Sequence, residues 1–412
     1  MEKTNRLRKY WWGIALGAFL IIIGIVAVIL NTVRQDNTPQ SITTPGSFSQ
    51  TYKDTCKEHD VAFTSPPMKM EDIGFIRPLG AMLDGHVTPT DHVYVGPVNS
   101  QVADNTYPVT MPADGTVVEV SRMPDQYVGD RAGQQLPSED HRIVISFSCR
   151  YFAVFIHVHK LTDALRSKIG ALSPNESKRT ELTLKAGETV GYIGGSTFDW
   201  TPVDTSVTLP GFITPELYKG EPWKIHTISP FDLYTGELRA QLEAKSLRTA
   251  APVGGKIDYD QKGKLIGNWF RSNSGGYTGS TEASANPGRY WDGHLAIVPD
   301  YIDPAYTIVS LGNWQDKAQQ FLAVTKLDPA AISEQSGMVK IELSAFSYTS
   351  DSSPQWRGDG FAKDVHPRAI SGSVGTLAVQ VLPGEKLKIE KFTGKTPTQI
   401  TGFTGAAETF ER

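Results

Sequence analysis

Histidine is the residue type in this sequence best suited to chemistry, and four of the nine histidines lie in two tight groups. The segment "DGHVTPTDH" contains His86, Asp91 and His92, and "FIHVHKL" contains His157 and His159. Residues two apart in a strand point to the same face, so we expect the last pair to present parallel imidazoles about 7 Å apart. The two groups predict a metal site. The alternative is that these histidines cap turns and bond to neighbouring backbone.

A zinc ion would give such histidines a reaction to perform. Catalytic zinc sites use three protein ligands and an open position, and the metal lowers the pKa of its bound water to about 7. The familiar HExxH, GxSxG and CxxC patterns are absent from the sequence. A hydrolytic centre in this chain must therefore use the histidine groups.

The elements that would position these groups are short strands. A content of 38 Gly and 26 Pro is typical of many strands joined by turns. Apolar and polar residues alternate in "YPVTMPADGTVVEVSR" from Tyr107 and in "HRIVISFSCRYFAVFIHVHKL" from His141, and strand patterns return after Lys256. We expect a mainly β chain with two β-rich domains, the first built on an antiparallel sheet.

An apolar run without charge, Tyr10 to Leu30, precedes the strand patterns. At about 1.5 Å per residue, a helix of this length spans the roughly 30 Å hydrocarbon core of a bilayer. Basic residues lie before the run, and Trp11 and Trp12 fit an interfacial aromatic belt. The run predicts a single transmembrane helix, a cytoplasmic N-terminus and an extracytoplasmic bulk. A cleaved signal peptide is the alternative.

Composition divides the chain into six segments. We expect a basic cytoplasmic tail at 1–9, a transmembrane helix at 10–30, a flexible stalk at 31–50, a first β domain at 51–245, a hinge at 246–255 and a β-rich domain of unknown role at 256–412. The net charge is −4, and no basic stripe of the kind that binds nucleic acid is present. Nucleic acid is therefore excluded as the expected partner.

The sequence contains two cysteines, Cys56 and Cys149. Outside the cytoplasm they can form a disulfide, and closing so long a loop would stabilise the fold by about 4 kcal/mol in the chain-entropy model. Cys149 also lies in a pattern typical of a buried strand, where a free thiol is equally acceptable. Both states remain open at this point.

Three segments, in this order, resemble the lysostaphin-type zinc endopeptidases, which cut peptide crosslinks in bacterial cell walls. They are "YPVTMPADGTVVEVSR", "FAVFIHVHKLTD" and "LKAGETVGYIGGST", within Leu79 to Thr197. The resemblance implies a compact antiparallel β-sheet related to the duplicated hybrid motif. By position, it also implies that His157 is the catalytic histidine.

The first metal motif of that family, HxxxD, is altered in this sequence. His86 and Asp91 have one residue too many between them. His92 is followed four residues later by Gly96, where the motif requires an aspartate. The first part of the implied zinc cage is therefore incomplete.

The second metal motif, a closing HxH, is replaced by "FDWTPVD", which contains Asp199 and Asp204. A carboxylate ligand at either position would make the site poorer for zinc and more tolerant of hard cations. The candidate residues are His157 as the catalytic group and His86, Asp91, His92, His159 and Asp199 as metal ligands.

Two functions follow as hypotheses. The first is a membrane-anchored, non-catalytic binding module of the cell envelope, with peptidoglycan or a surface protein as partner. The second is a metal-dependent cell-wall peptidase with an altered ligand set, using zinc. Tryptophan side chains could stack on sugars in the first case or simply pack in the core. These are Trp200, Trp223, Trp269, Trp291 and Trp314.

Overall fold

A computed structural model describes residues 48–83, 85–124, 130–131, 134–135, 139–279, 289–358 and 360–412, and these belong to one compact unit. The described part of the chain is mainly β. The strands before residue 205 are β1 (Ile73–Arg77), β2 (Val93–Pro97), β3 (Tyr107–Thr110), β4 (Gly115–Arg122), β5 (Asp130–Arg131), β6 (Gln134–Gln135), β7 (His141–Ser146), β8 (Tyr151–Val158), β9 (Lys160–Leu161), β10 (Ser177–Leu184), β11 (Thr189–Ile193) and β12 (Phe198–Asp204).

Eight further strands follow an irregular middle section. They are β13 (Gly267–Arg271), β14 (His294–Pro299), β15 (Thr307–Trp314), β16 (Lys317–Ala323), β17 (Val339–Thr349), β18 (His366–Leu382), β19 (Lys386–Thr393) and β20 (Glu408–Glu411). The α-helices are short: α1 (Phe48–Thr51), α2 (Asp163–Ile169) and α3 (Gly236–Glu243). Single 3₁₀ turns span Pro215–Tyr218, Pro222–His226, Pro230–Leu233, Gly276–Thr278, Tyr290–Gly293, Glu334–Ser336 and Pro397–Gln399.

The predicted fold class is wrong in its helical part. No helix in the described ranges is long and apolar enough to cross a membrane. The longest, α3, has eight residues and would span only about 12 Å. The run Tyr10–Leu30, including Trp11 and Trp12, lies outside the described residues, as do the predicted tail at 1–9 and the stalk up to residue 47.

The first region contains a seven-stranded sheet with the order β1-β2-β12-β8-β7-β4-β10. All of its neighbouring strands are antiparallel. One face packs against a small sheet, β3-β11-β9, in a core that includes Phe155, Val190 and Trp200. The opposite face carries a second apolar cluster around Phe152 and Val154. Apolar residues therefore cover both faces of the central strands, which removes many of the polar side chains among them from water.

The second region is a closed barrel formed by β13 to β20. Strand alternation turns large apolar side chains inward, among them Trp269, Leu311 and Ile389. Strands β17 and β18 extend beyond the barrel as a hairpin arm, whose tip contacts the seven-stranded sheet. There the Arg77 guanidinium donates a hydrogen bond to the Gly358 carbonyl at 2.6 Å.

The segment between the two regions is closely packed. Arg248 is buried, and its guanidinium donates to four backbone carbonyls. The acceptors are those of Ala250, Ala251, Asp300 and Tyr301. The segment predicted as a hinge thus carries a side chain that links it to the barrel.

Cys56 and Cys149 form a disulfide that joins positions 93 residues apart. Cys149 lies in the turn between β7 and β8, so the bond fastens the residues after α1 to the end of the central hairpin. Of the two states that the sequence left open, the structure contains the disulfide.

Candidate functional site

Three neighbouring strands bring His92, Asp199 and His157 together. His92 immediately precedes β2, Asp199 is the second residue of β12, and His157 lies near the end of β8. The Asp199 Oδ2 atom lies 3.5 Å from His92 Nε2 and 3.6 Å from His157 Nε2. One carboxylate thus contacts two imidazoles, and we call these three residues the centre.

Each imidazole of the centre has a second carboxylate behind it. His92 Nδ1 lies 3.2 Å from Asp91 Oδ1, and His157 Nδ1 lies 2.7 Å from Asp140 Oδ2. A carboxylate at Nδ1 fixes the orientation of the ring and directs Nε2 away from it. Both Nε2 atoms therefore face Asp199.

His157 reaches the centre through an irregularity in β8. Its φ is +67°, in the left-handed region that side chains with a β-carbon rarely adopt. The pairing of β7 with β8 also shifts by one residue at this point, which leaves His157 as the extra residue of a bulge. Such a conformation costs on the order of 1–3 kcal/mol and is common at functional sites.

The bulge also separates His157 from His159, so the expected pair of parallel imidazoles is not formed. His159 Nδ1 lies 2.9 Å from Asp104 Oδ1, and its Nε2 lies 3.2 Å from Ser196 Oγ. The predicted metal ligand His159 therefore pairs with a different carboxylate from the one in the centre.

Burial and charge act in opposite directions on the two histidines of the centre. Burial alone would lower the pKa of His157, but the Asp199 charge and the Asp140 hydrogen bond raise it to about 9. For His92, burial again opposes protonation, and Asp199 together with Asp91 raises the pKa above its usual value. The His157 imidazole is thus favoured in the charged form at neutral pH, and the pKa of His92 is shifted in the same direction.

The neighbouring groups are shifted in the other direction. Burial, with the charges of His92 and Lys224, lowers the pKa of His86 to about 3. The His86 ring meets the His92 ring edge to face, with centroids 5.4 Å apart. Although burial opposes ionisation of Asp91, Lys224 and the hydrogen bond from His92 lower its pKa. His86 is therefore neutral, whereas Asp91 is held as a carboxylate.

Sequence patterns did not reveal the 3₁₀ turn Pro222–His226, which closes the site on one side. The Trp223 indole donates to Asp91 Oδ2 at 2.8 Å. The neighbouring Lys224 is fully buried, donates to the Pro89 carbonyl at 2.9 Å and lies over the Tyr277 ring. A single turn is too short to show a periodic sequence pattern. The sequence indicated it only by its proline, which stands at a position typical of helix starts.

The position of the missing aspartate in HxxxD is closed by packing. Gly96 pairs with Phe75 across β1 and β2. A β-carbon at Gly96 would lie 2.3 Å from the Phe75 ring, well inside contact distance. An aspartate therefore cannot occupy this position unless the phenylalanine moves.

A zinc site at the centre would require at least three ligands in a suitable arrangement. Across the described part of the chain, no group of three or more His, Cys, Asp or Glu side chains is arranged to hold a metal ion. Two buried atoms of the centre, His92 Nε2 and Asp199 Oδ1, have no hydrogen-bond partner. The residues thus provide donors of the type zinc uses, but their arrangement does not fit a zinc cage.

Other predicted residues lie elsewhere. Asp204, at the far end of β12, accepts two hydrogen bonds from the Arg150 guanidinium, at 2.8 and 2.6 Å. Of the five tryptophans, Trp200, Trp269 and Trp314 are buried in cores. Trp223 and Trp291 are half-buried, and the Trp291 ring packs against Gly85 in the loop that contains His86.

Comparisons with known proteins identify no family for this chain. No family model matches the chain, and no curated protein matches it. Among solved structures, the chain is similar to the NMR solution structure of lysostaphin, at 9% identity over 78% of this chain and 80% of that chain, with a TM-score of 0.15. A TM-score this low does not establish a common fold.

Proposed function

We propose that this protein is a non-catalytic binding module of the cell envelope. The observation that carries the proposal is the pairing of Asp199 with both His92 and His157. The Asp199 carboxylate lies between the two imidazoles, and the Phe75 ring fills the space that a further carboxylate at Gly96 would need. A centre arranged in this way is suited to holding strands β2, β12 and β8 in place beside a binding face.

The partner we propose is peptidoglycan or a surface protein, which would contact the solvent-exposed side of the centre. The Cys56–Cys149 disulfide supports an extracytoplasmic location, since such bonds persist in oxidising compartments. The His157 side chain remains 28% exposed, so the centre is reachable from solvent on one side.

Sedimentation with isolated peptidoglycan sacculi tests this function. We expect the full chain to sediment with sacculi to the same extent with and without a metal chelator, and to release no soluble muropeptides. The matched variant is His157→Gln, which keeps polar atoms in the centre but removes the charge. Failure of the wild-type protein to sediment with sacculi would contradict the proposal.

A second candidate is a metal-dependent hydrolase with an altered ligand set. The observation in its favour is that two buried atoms, His92 Nε2 and Asp199 Oδ1, make no hydrogen bond, beside histidines that each have a carboxylate behind them. Because the described arrangement does not fit a zinc cage, this candidate requires His92, Asp199 and His157 to rearrange before they could bind a metal. Stoichiometric zinc in the dialysed protein, its loss in His92→Ala, and zinc-dependent muropeptide release would together favour this candidate.

A further inference from the structure

The face of the seven-stranded sheet that carries Asp199 also carries an apolar strip. Residues 199, 201 and 203 alternate along β12, so Asp199 and Val203 share a face. Val203 clusters with apolar residues of β8, β7 and β4 on that face. We define the apolar strip as Val118, Val144, Phe152, Val154 and Val203.

The segment Phe48–Cys56 lies over this strip, and we call it the cover. Phe48 and Tyr52 are one helical turn apart and are only 8% and 3% exposed. Their ring centroids lie 5.4 and 6.1 Å from that of Phe152. The Tyr52 hydroxyl donates to Glu119 Oε2 at 3.2 Å. The cover therefore excludes water from the apolar strip.

The cover is held by side-chain contacts and the disulfide. Its backbone hydrogen bonds are internal, from Tyr52 N–H to the Phe48 carbonyl and from Thr55 and Cys56 N–H to the Tyr52 carbonyl. No backbone bond joins it to a strand of the sheet in the ranges that the structure describes. Residues 57–60, which follow it, are exposed. The Phe48 and Tyr52 rings, with their contacts to Trp223 and Arg179, the Tyr52 hydrogen bond and the disulfide thus hold the segment in place.

A chain of contacts connects the cover to the centre. The Phe48 ring is stacked on the Trp223 ring, with centroids 5.6 Å apart and planes 4° from parallel. The same indole donates to Asp91, whose other oxygen contacts His92 Nδ1. Removal of Phe48 would therefore release Trp223 and weaken the support of His92.

From these contacts we propose that the cover is a detachable, disulfide-tethered lid over the apolar strip, and that reduction of Cys56–Cys149 opens it. This inference goes beyond the proposed function, because the apolar strip under the cover is a further, peptide-binding surface that the oxidised protein does not use when it binds the cell envelope. The opened surface takes a peptide segment with two aromatic side chains one helical turn apart, as the cover itself provides.

The opening step requires a dithiol reductant. One of its thiolates attacks a sulfur of the Cys56–Cys149 bond and forms a mixed disulfide. Its second thiol then displaces the remaining cysteine. Both cysteines end as thiols, the dithiol ends as a disulfide, and two electrons pass from the reductant to the protein.

Hydrogen exchange of the full chain tests whether the cover opens. With dithiothreitol, or in the Cys56→Ser/Cys149→Ser variant, we expect the amides of Tyr52, Thr55 and Cys56 to exchange at least tenfold faster. Exchange in β13 to β20 should not change, which distinguishes opening from unfolding. The variant Phe48→Ala/Tyr52→Ala keeps the disulfide and should also accelerate exchange in the cover, whereas Lys53→Ala, at an exposed position of the cover, should not. Unchanged exchange in both the reduced protein and the aromatic variant would overturn the inference.

A synthetic peptide with the sequence of residues 48–55 tests the surface itself. We expect a labelled peptide to bind the reduced protein and the Cys56→Ser/Cys149→Ser variant at least tenfold more tightly than the oxidised protein. Equal binding to oxidised and open forms would overturn the inference. Sacculi provide a separate readout: if the peptide binds but no form of the protein sediments with sacculi, the proposed function fails and the lid remains.

Discussion

The barrel and the seven-stranded sheet differ in how fully their buried charged groups are hydrogen-bonded. In the barrel, the buried Arg412 guanidinium donates to the carbonyls of Ile266, Gln261 and Lys264, pairs with Glu385 and lies 4.0 Å over the Trp269 ring. In the seven-stranded sheet, two buried atoms of the centre, His92 Nε2 and Asp199 Oδ1, have no hydrogen-bond partner.

A buried charge whose hydrogen-bonding groups are all satisfied contributes to the fold, whereas buried polar atoms without partners raise its free energy. The left-handed backbone conformation of His157 also raises the free energy of the folded sheet. The difference indicates that the Arg412 contacts stabilise the barrel, whereas the centre retains buried hydrogen-bonding atoms that the fold leaves unsatisfied.

Removal of Arg412 should have the largest effect. Arg412→Ala leaves the Glu385 carboxylate and the buried Asp260 without their cation, and we expect a loss of roughly 3–5 kcal/mol in the free energy of unfolding. Urea denaturation followed by tryptophan fluorescence measures it. Lys317→Ala, at an exposed barrel position, is the control and should change stability by less than about 0.5 kcal/mol. A similar loss in both variants would contradict the claim that the Arg412 contacts stabilise the barrel.

Titration of the centre should have the next largest effect. The folded pKa of His157 is about 9, above the roughly 6.5 of the unfolded chain. Its stabilising contribution is therefore complete below about pH 6.5 and is lost as pH rises through about 9, on the order of 2 kcal/mol for a partly exposed group.

Asp199→Asn tests this assignment, because it removes the charge that both imidazoles share. We expect the His157 pKa to fall and the slope of stability against pH between 6.5 and 9 to flatten. Imidazole proton chemical shifts and urea denaturation at several pH values measure the two effects. The control is Asp104→Asn, which removes the carboxylate beside His159 instead. An unchanged His157 pKa in Asp199→Asn would contradict the assignment.

Packing at Gly96 should have a smaller effect. Gly96→Asp forces the new side chain into the Phe75 ring, and we expect a loss of about 1–3 kcal/mol. In a Phe75→Ala background the same substitution should be less costly, because the ring is gone. A double-mutant cycle measured by urea denaturation gives the coupling. Additive losses would show that the ring does not exclude a carboxylate from this position.

The link between the regions should show the smallest effect. Arg77→Met removes the hydrogen bond to the Gly358 carbonyl but retains much of the side-chain volume, and we expect a loss of about 1 kcal/mol. Hydrogen exchange should rise at the tip of the hairpin arm formed by β17 and β18. Faster exchange in β2 or β12 instead would mean that Arg77 supports the sheet rather than the arm.

Much of the site could be anticipated from sequence because its residues lie in or beside strong strand patterns. Strand order then placed His92 and Asp199 next to His157. Asp140 could not be anticipated, since its contact depends on how a hairpin pairs and on one extra residue in β8. Periodicity also does not reveal that residues far apart in sequence close a barrel, as β13 and β20 do. The transmembrane prediction rested on an apolar run, the basic residues before it and its two tryptophans, and no described helix supports it.

The buried Arg248 has a mechanical consequence. Its guanidinium holds carbonyls on both sides of the junction between the sheet and the barrel, including those of Ala250 and Tyr301. A pulling force applied to the barrel would therefore pass directly into the sheet region. In single-molecule force spectroscopy we expect the sheet region and the barrel to unfold in one event. In the Arg248→Ala variant we expect two separate unfolding events.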